Sequence, residues 1–159
     1  MSEFFALFDN SVLFWSIFSC LLTQFFKSVF NCFSTGEIRF GIMFVTGGMP
    51  SSHSALITGA TSGIGYEIGF DSSIFALSVA VALIVMYDAS GVRKSAGIQA
   101  AEINKLSKKL DPQSELLLKE TLGHTKIEVI IGSFLGPLIT LPGMFFLGSP
   151  LKIFNLIIN

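Results

Sequence analysis

The chain has 159 residues, 51% of them hydrophobic and 13% charged, with ten Lys and Arg against eleven Asp and Glu for a net charge of -1. A soluble domain carries about 25% charged residues, so this composition, with its mean hydropathy of +0.70, excludes a soluble enzyme and a disordered segment. The near-neutral balance also offers no basic footprint for nucleic acid, which leaves a small integral membrane protein with one domain over residues 1–159.

Met1 to Asn10 carries no Lys or Arg, so the amino end lacks the basic region of a secretory signal peptide and the first helix is expected to be retained. A membrane helix needs about 20 largely apolar residues to cross a hydrocarbon core about 30 Å thick. The first such stretch runs from about Ser11 to Phe33, with Lys27 its only charge. Cys20 and Cys32 lie in this same apolar run and read as buried thiols, not as a disulfide framework.

The segment Gly47-Gly48-Met49-Pro50-Ser51-Ser52-His53-Ser54 follows and opens the second span, which reaches about Ile68 and is rich in Gly and Ser. Its Gly59-x-x-x-Gly63 pair permits close helix packing, within one chain or between two copies in a homo-oligomer. The third span, about Ser73 to Tyr87, is the cleanest and leads into Tyr87-Asp88-Ala89-Ser90-Gly91-Val92-Arg93. Beyond it, Ile98, Ile103, Leu106 and Leu110 keep helical spacing with Lys105, Lys108 and Lys109 on the other side. Asp111-Pro112 breaks the chain, and Gln113–Leu122 is read as a second short helix. The pair would lie on the inner leaflet as amphipathic helices, or act as a lid over a site there. The fourth span runs from about Ile127 to Leu147, with Pro137 and Pro142 expected to kink it.

The expected fold is therefore all-α: an integral membrane helical bundle of about four transmembrane helices plus one or two short amphipathic helices on the cytoplasmic side. With four spans, nine of the ten basic residues share one membrane face, leaving Lys152 alone on the other. The positive-inside rule makes the crowded face cytoplasmic and puts both termini outside.

The two histidines, His53 and His124, each start an apolar helix on that cytoplasmic side. Ionisable groups at membrane-embedded helices are costly and mark function. His53 follows glycines, a proline suited to the first helical turn and serines that can cap the helix or offer hydroxyls. Such a helix start favours a phosphate, although the same residues also make an ordinary N-terminal cap. His124 and Glu128 are four apart and share one helical face. The carboxylate could hold one imidazole nitrogen and leave the other as nucleophile or base, or the two could form a plain surface pair. Asp88 and Arg93 form an interfacial ion pair, or Arg93 clamps a phosphate through its planar fork. Lys27 either snorkels or joins the cations. Two histidines, a carboxylate, hydroxyls and cations are what phosphoryl transfer to histidine requires. On ligand type, a zinc site from His53, His124 and Glu128 is a further reading.

These segments resemble the divergent branch of the type 2 phosphatidic acid phosphatase (PAP2) superfamily, relatives of acid phosphatases and vanadium haloperoxidases, over nearly the whole chain. The resemblance rests on Gln24-Phe25-Phe26-Lys27, Gly47–Ala55, Tyr87–Arg93 and Leu118–Thr125. Pro50-Ser51-Ser52-His53 is similar to the superfamily's Pro-Ser-Gly-His motif, with Ser52 in place of glycine. His124-x-x-x-Glu128 is similar to its His-x-x-x-Asp. Lys27 and Arg39 resemble its Lys…Arg-Pro pair, with Phe40 in place of proline.

The resemblance implies that His124 is the nucleophile forming a phosphohistidine, Glu128 its orienting partner and His53 the acid that protonates the leaving group. Ser51, Ser52, Lys27, Arg39, Arg93 and Lys119 would bind phosphate, with no metal and no cofactor. The implied function is a lipid phosphatase of phosphoric monoesters or diphosphates, with phosphatidylglycerophosphate, phosphatidic acid or a polyprenyl phosphate as substrate. The alternative is a non-catalytic protein that binds or transports a lipid phosphate in the same anion pocket. The expected setting is a bacterial inner (plasma) membrane, with the site facing the cytoplasm and the bilayer itself as partner.

Overall fold

Each long helix of the bundle core begins where a short polar side chain takes an otherwise orphaned amide, as helix starts require. The side chains of Asn10, Ser51, Ser72 and Thr125 accept from the N–H groups of Leu13, Ser54, Phe75 and Glu128. The computed structural model describes residues 3–36, 48–113 and 117–158. In order, its helices are α1 (Glu3–Phe8), α2 (Ser11–Thr35), α3 (Ser52–Ile68), α4 (Ser73–Ser90), α5 (Val92–Leu110), α6 (Lys126–Phe146) and α7 (Pro150–Ile158). The described residues contain no strand, so the all-α expectation holds.

Among the described residues, three stretches, not four, are long and apolar enough to cross a membrane: Ser11–Phe33, Ser73–Leu110 (which begins with α4) and Lys126–Phe146. The expected second span is the one that falls short. It forms α3, a helix of 17 residues and so about 25 Å long at 1.5 Å per residue. Gly, Ser and Thr hold many of the positions where a lipid-facing helix would carry bulk. The reason lies in the packing, because α3 sits against α2, α4 and α6 while α4 and α6 barely meet each other. A helix surrounded by helices needs small residues that let backbones approach, not apolar mass.

Burial follows the same logic. Ser16, Ser19, Thr23, Ser54 and Thr140 are buried, whereas Leu21, Ile84 and Phe134 point outward. Large apolar side chains outside and small hydroxyls inside invert the pattern of a soluble core. Some interior hydroxyls are used locally, Ser16 and Ser19 donating to Leu13 O and Ser16 O and Ser62 to Gly59 O, while Ser19 also reaches Ala55 O on α3 and Thr140 reaches Trp15 O on α2.

Glycines set the closest contacts. A Cβ on Gly132 or Gly136 of α6 would run into the carbonyls of Ser51 and Ala55 on α3, and one on Gly143 into the Trp15 ring of α2. The Gly59-x-x-x-Gly63 pair is used inside the chain, with Gly59 against Thr140 and Ser19 and Gly63 against Met144 and Val12. At the far end, Trp15 Nε1 donates to Gly148 O at 2.8 Å and the Leu151 N–H to Asp9 Oδ1 at 3.0 Å. These bonds tie the two ends of the described chain together. Helix α6 runs unbroken through Pro137 and Pro142.

The second short helix expected over Gln113–Leu122 is not formed: residues 117–125 are non-helical. Their backbone is captured by α5 instead. Asn104 accepts from Leu118 N–H and donates to Leu118 O, both at 2.8 Å, and donates to Glu120 as well. Gly97, Ala100 and Asn104 form the buried stripe of α5, while Ile98, Ile103, Leu106 and Leu110 stay exposed on the face suited to a membrane surface.

Because the α3–α6 contact has no room for a side chain, Gly136→Val is expected to destabilise the fold by about 1–3 kcal/mol or more, as overpacking does. Thermal melts of detergent-solubilised protein should show a clear drop for Gly136→Val. Phe134→Ala, at an outward position two residues away, should melt like wild type.

Candidate active site

Five chain segments converge at one end of the bundle: the start of α3, the end of α4, the start of α5, the strap 117–125 and the start of α6. One backbone bond joins the two histidine-bearing turns, the Ser51 N–H donating to Glu128 O at 3.1 Å. A second ties the strap to α4, the His124 N–H donating to Ala89 O at 2.8 Å. Gly123, just before His124, has φ +76°, and a Cβ there would stand 2.5 Å from Lys94 N and 2.9 Å from Ala89 O. Only glycine combines that left-handed backbone with so close an approach.

Glu128 has two tasks. With Thr125 it closes a capping box: Thr125 Oγ1 accepts from the Glu128 N–H, and Glu128 Oε2 accepts from the Thr125 N–H at 3.1 Å. The same Oε2 lies 3.1 Å from His124 Nδ1. A carboxylate only accepts, so Nδ1 carries the proton of this bond and the lone pair of a neutral imidazole lies on Nε2. The imidazole is thus held in one tautomer and one orientation, at a residue only 8% exposed.

His124 lines a small cavity of about 30 Å³ together with His53, Val85, Ala89, Arg93 and Gly123. The two histidines that the sequence places on separate helices therefore share one space. His53 is the exposed member. It lies within electrostatic reach of Arg93, His124 and Lys27, while Lys27 in turn feels Glu128. Arg93 Nε donates to Asp88, so the ion pair and the position beside the cavity, read as alternatives in the sequence, occur together. Lys27 is buried, and its Cε would be 3.0 Å from a Cβ on Gly48 in the turn that leads into α3.

The other sequence-predicted residues are placed differently. Ser51 is fully buried as the α3 cap, where its Oγ accepts from the Ser54 N–H and Ser54 Oγ. Ser52 hydrogen-bonds the Cys20 thiol on α2. Neither serine lines the histidine cavity, and nor does the exposed Lys119. Arg39 lies outside the described residues. Among the described residues no group of three or more His, Cys, Asp or Glu is placed to hold a metal ion, which leaves the zinc reading without a ligand set there.

Val85, Ala89, Gly97, Asn104, Gly123 and Thr125 were assigned no individual role from the sequence. Thr125-x-x-Glu128 was readable as a capping box before a hydrophobic run. Gly97, Ala100 and Asn104 were readable as a small-residue stripe opposite the apolar face of α5.

The family description "Divergent PAP2 family" matches residues 8–139. An uncharacterized membrane protein of Bacillus subtilis (strain 168), YuiD, is 38% identical over 149 residues, covering 85% of this chain and 94% of that protein. No solved structure matches at a significant level.

The contrast between the two histidines is open to chemical modification. Diethylpyrocarbonate is expected to acylate exposed His53 well before buried His124, as read by peptide mass spectrometry. Gly123→Ala should raise the His124 rate by about tenfold, since left-handed backbone at a non-glycine residue costs about 1–3 kcal/mol and the strap must yield. Equal rates for the two histidines in wild type would contradict the burial described.

Proposed function

The chain belongs to the divergent PAP2 family, and from that premise we propose that it is a membrane-embedded phosphatase acting on a lipid phosphate or diphosphate through a phosphohistidine on His124. The observation that carries the reading is the bond from His124 Nδ1 to Glu128, with His124 itself lining a cavity shared with His53 and Arg93. That arrangement supplies a nucleophile in a fixed tautomer, a second imidazole for proton transfer and a cation for developing charge.

The chemistry balances with these groups alone. The Nε2 lone pair of His124 attacks phosphorus as the bond to the leaving oxygen breaks, and protonated His53 gives that oxygen its proton. Glu128 stabilises the positive charge that forms on the His124 ring, and Arg93 offsets charge on the transferring oxygens. A water then attacks the phosphohistidine, neutral His53 takes its proton, and phosphate leaves with His124 restored. The net reaction is hydrolysis of one phosphate ester or anhydride bond.

A lipid substrate follows from the setting. A site at the end of a helical bundle meets headgroups laterally, so phosphatidylglycerophosphate, phosphatidic acid or a polyprenyl phosphate are the candidates. In this reading α3 is a fourth crossing whose small residues are shielded by α2, α4 and α6. The nine basic residues that the four-span count assigns to one face support a site facing the cytoplasm of a bacterium, with both termini outside. A cytoplasmic site favours a lipid-synthesis intermediate over a carrier recycled on the outer leaflet.

Phosphate release from a panel of lipid phosphates, read with malachite green, tests the activity. His124→Ala should fall to background, and His53→Ala should lose about 10²–10⁴-fold, the span of general acid–base catalysis. Glu128→Gln keeps a side chain that can complete a capping box, so its loss should appear in kcat with the fold intact. A wild type that binds lipid phosphate without turnover would instead mark the protein as a binding or transport module.

Orientation has its own test. In a background with Cys20 and Cys32 replaced by serine, Lys109→Cys and Lys152→Cys should react with an impermeant maleimide from opposite sides. Labelling of Lys109→Cys in intact cells would overturn the cytoplasmic assignment.

A further inference from the structure

A second, larger space lies beside the histidine cavity. Because α4 and α6 both pack on α3 and hardly touch each other, they leave a cleft of about 320 Å³ over α3. Its floor is Thr58, Thr61 and Ser62, and its walls include Val79, Ala82 and Met86 on α4 and Ser133 and Pro137 on α6. We propose that this cleft holds one acyl chain of the phospholipid whose phosphate enters the histidine cavity, a placement that rests on the phosphatase reading for its headgroup.

The cleft is apolar despite four hydroxyl residues in its lining. Thr58 Oγ1 donates to Ser54 O, Thr61 Oγ1 to Ile57 O and Ser78 O, Ser62 Oγ to Gly59 O and Ser133 Oγ to Ile130 O. Each hydroxyl hydrogen is thus turned into backbone, and what faces the cleft is mostly carbon. A polar ligand would find no donors there, and a hydrocarbon chain meets no desolvation cost.

Continuity fixes which chain it is. On α4, Ala82 and Met86 line the cleft while Val85 and Ala89 line the histidine cavity, and residues three and four apart share one helical face. On α3, His53 stands in the cavity and Thr58 in the cleft, little more than one turn on. The two spaces therefore follow one another along the same two helices. From Met86 to Phe75 the cleft spans eleven residues of α4, about 16 Å, close to half of the ~30 Å hydrocarbon core. Phe70 and Phe75, edge to face at 5.2 Å, close the far end. A helix of a partner protein, about 10 Å across, is too wide for this space.

Lipid tails are as apolar as the cleft, so seating the chain adds little affinity. Its effect is orientation, since a chain held beside α4 aims its phosphate at His124, and displacement of a reacting group by about 1 Å can cost on the order of 10²-fold in rate. The cleft thus makes the enzyme selective for long-chain lipid phosphates over water-soluble phosphate esters.

The test uses phosphatidic acid carrying a diazirine near the end of one acyl chain, in phosphatidylcholine nanodiscs with the full-length protein. After irradiation, adducts are expected on Val79, Ala82 and Met86 in both wild type and His124→Ala, and reduced about tenfold in Ala82→Phe, which fills the cleft. Ala82→Phe should also lower long-chain turnover by about 10²-fold and leave p-nitrophenyl phosphate hydrolysis unchanged. If that variant does not fold, Ser133→Phe fills the cleft from α6. Adducts spread over outward Leu77 and Ile84, or labelling insensitive to both filling variants, would overturn the proposal. Labelling in the cleft without any turnover in wild type would sink the phosphatase reading alone. Turnover without labelling in the cleft would sink the cleft alone.

Discussion

The close contact between α3 and α6 is the constraint from which the rest of the molecule follows. In lipid, helices gain nothing from hiding apolar surface from each other, so association depends on packing distance and hydrogen bonds. Gly132 and Gly136 let α6 lie directly on the carbonyls of Ser51 and Ala55, and at the end of that contact the Ser51 N–H reaches Glu128 O. The first turns of the two helices are thereby fixed against each other. Since His53 is in one turn and His124 immediately precedes the other, the packing that holds the bundle also sets the relation of the two imidazoles.

Glu128 shows how fold and site are coupled at the level of single atoms. Its Oε2 completes the α6 capping box and holds His124 Nδ1. A helix start favours a carboxylate through its exposed amides and dipole, so the charge that orients the imidazole is itself stabilised by the helix it caps. The strap adds a third restraint: Asn104 and the bare surface of Gly97 hold residues 118–122 along α5, and Gly123 then turns the chain into the α4–α5 junction. A buried histidine fixed through its backbone, its neighbours and its own ring nitrogen has little freedom left.

The sequence was most legible where one physical signal dominates. Composition declared the membrane, and hydropathy with caps located α2, α4 and α6 to within a few residues of their ends. The spacing of four brought His124 and Glu128 together as candidates, although His124 lies just before the Thr125 cap and meets Glu128 from outside the helix. Helix α3 was located as closely, but it does not qualify as an apolar span, because a helix buried among helices loses the apolar signal that a lipid-facing one needs. The region after Asp111 failed for a different reason: residues 117–122 have helix-forming character, yet Asn104 offers their backbone a tertiary partner that outweighs local propensity. Ser51 and Ser52 were legible as hydroxyls at a helix start, but whether a cap serine faces its own helix or a ligand is decided by neighbours, here Ser54 and Cys20.

The shortness of α3 has a consequence beyond its own packing. Lys27 stands eight residues before the end of α2 at Thr35, so α2 continues roughly 12 Å beyond it at 1.5 Å per residue. Gly48, in the turn that feeds α3, lies against Lys27 rather than at the end of α2. The first turn of α3 therefore begins below the rim of the bundle, with α2 rising on one side and α5 with its strap on another. In the proposed phosphatase reading, a histidine pair at that depth takes a phosphate borne by a molecule already in the membrane, and the opening between α4 and α6 is the side from which that molecule would come. The small residues that keep α3 from being a conventional span thus leave the histidine pair recessed below the end of α2, and that recess supports the proposal of a lipid substrate over a water-soluble one.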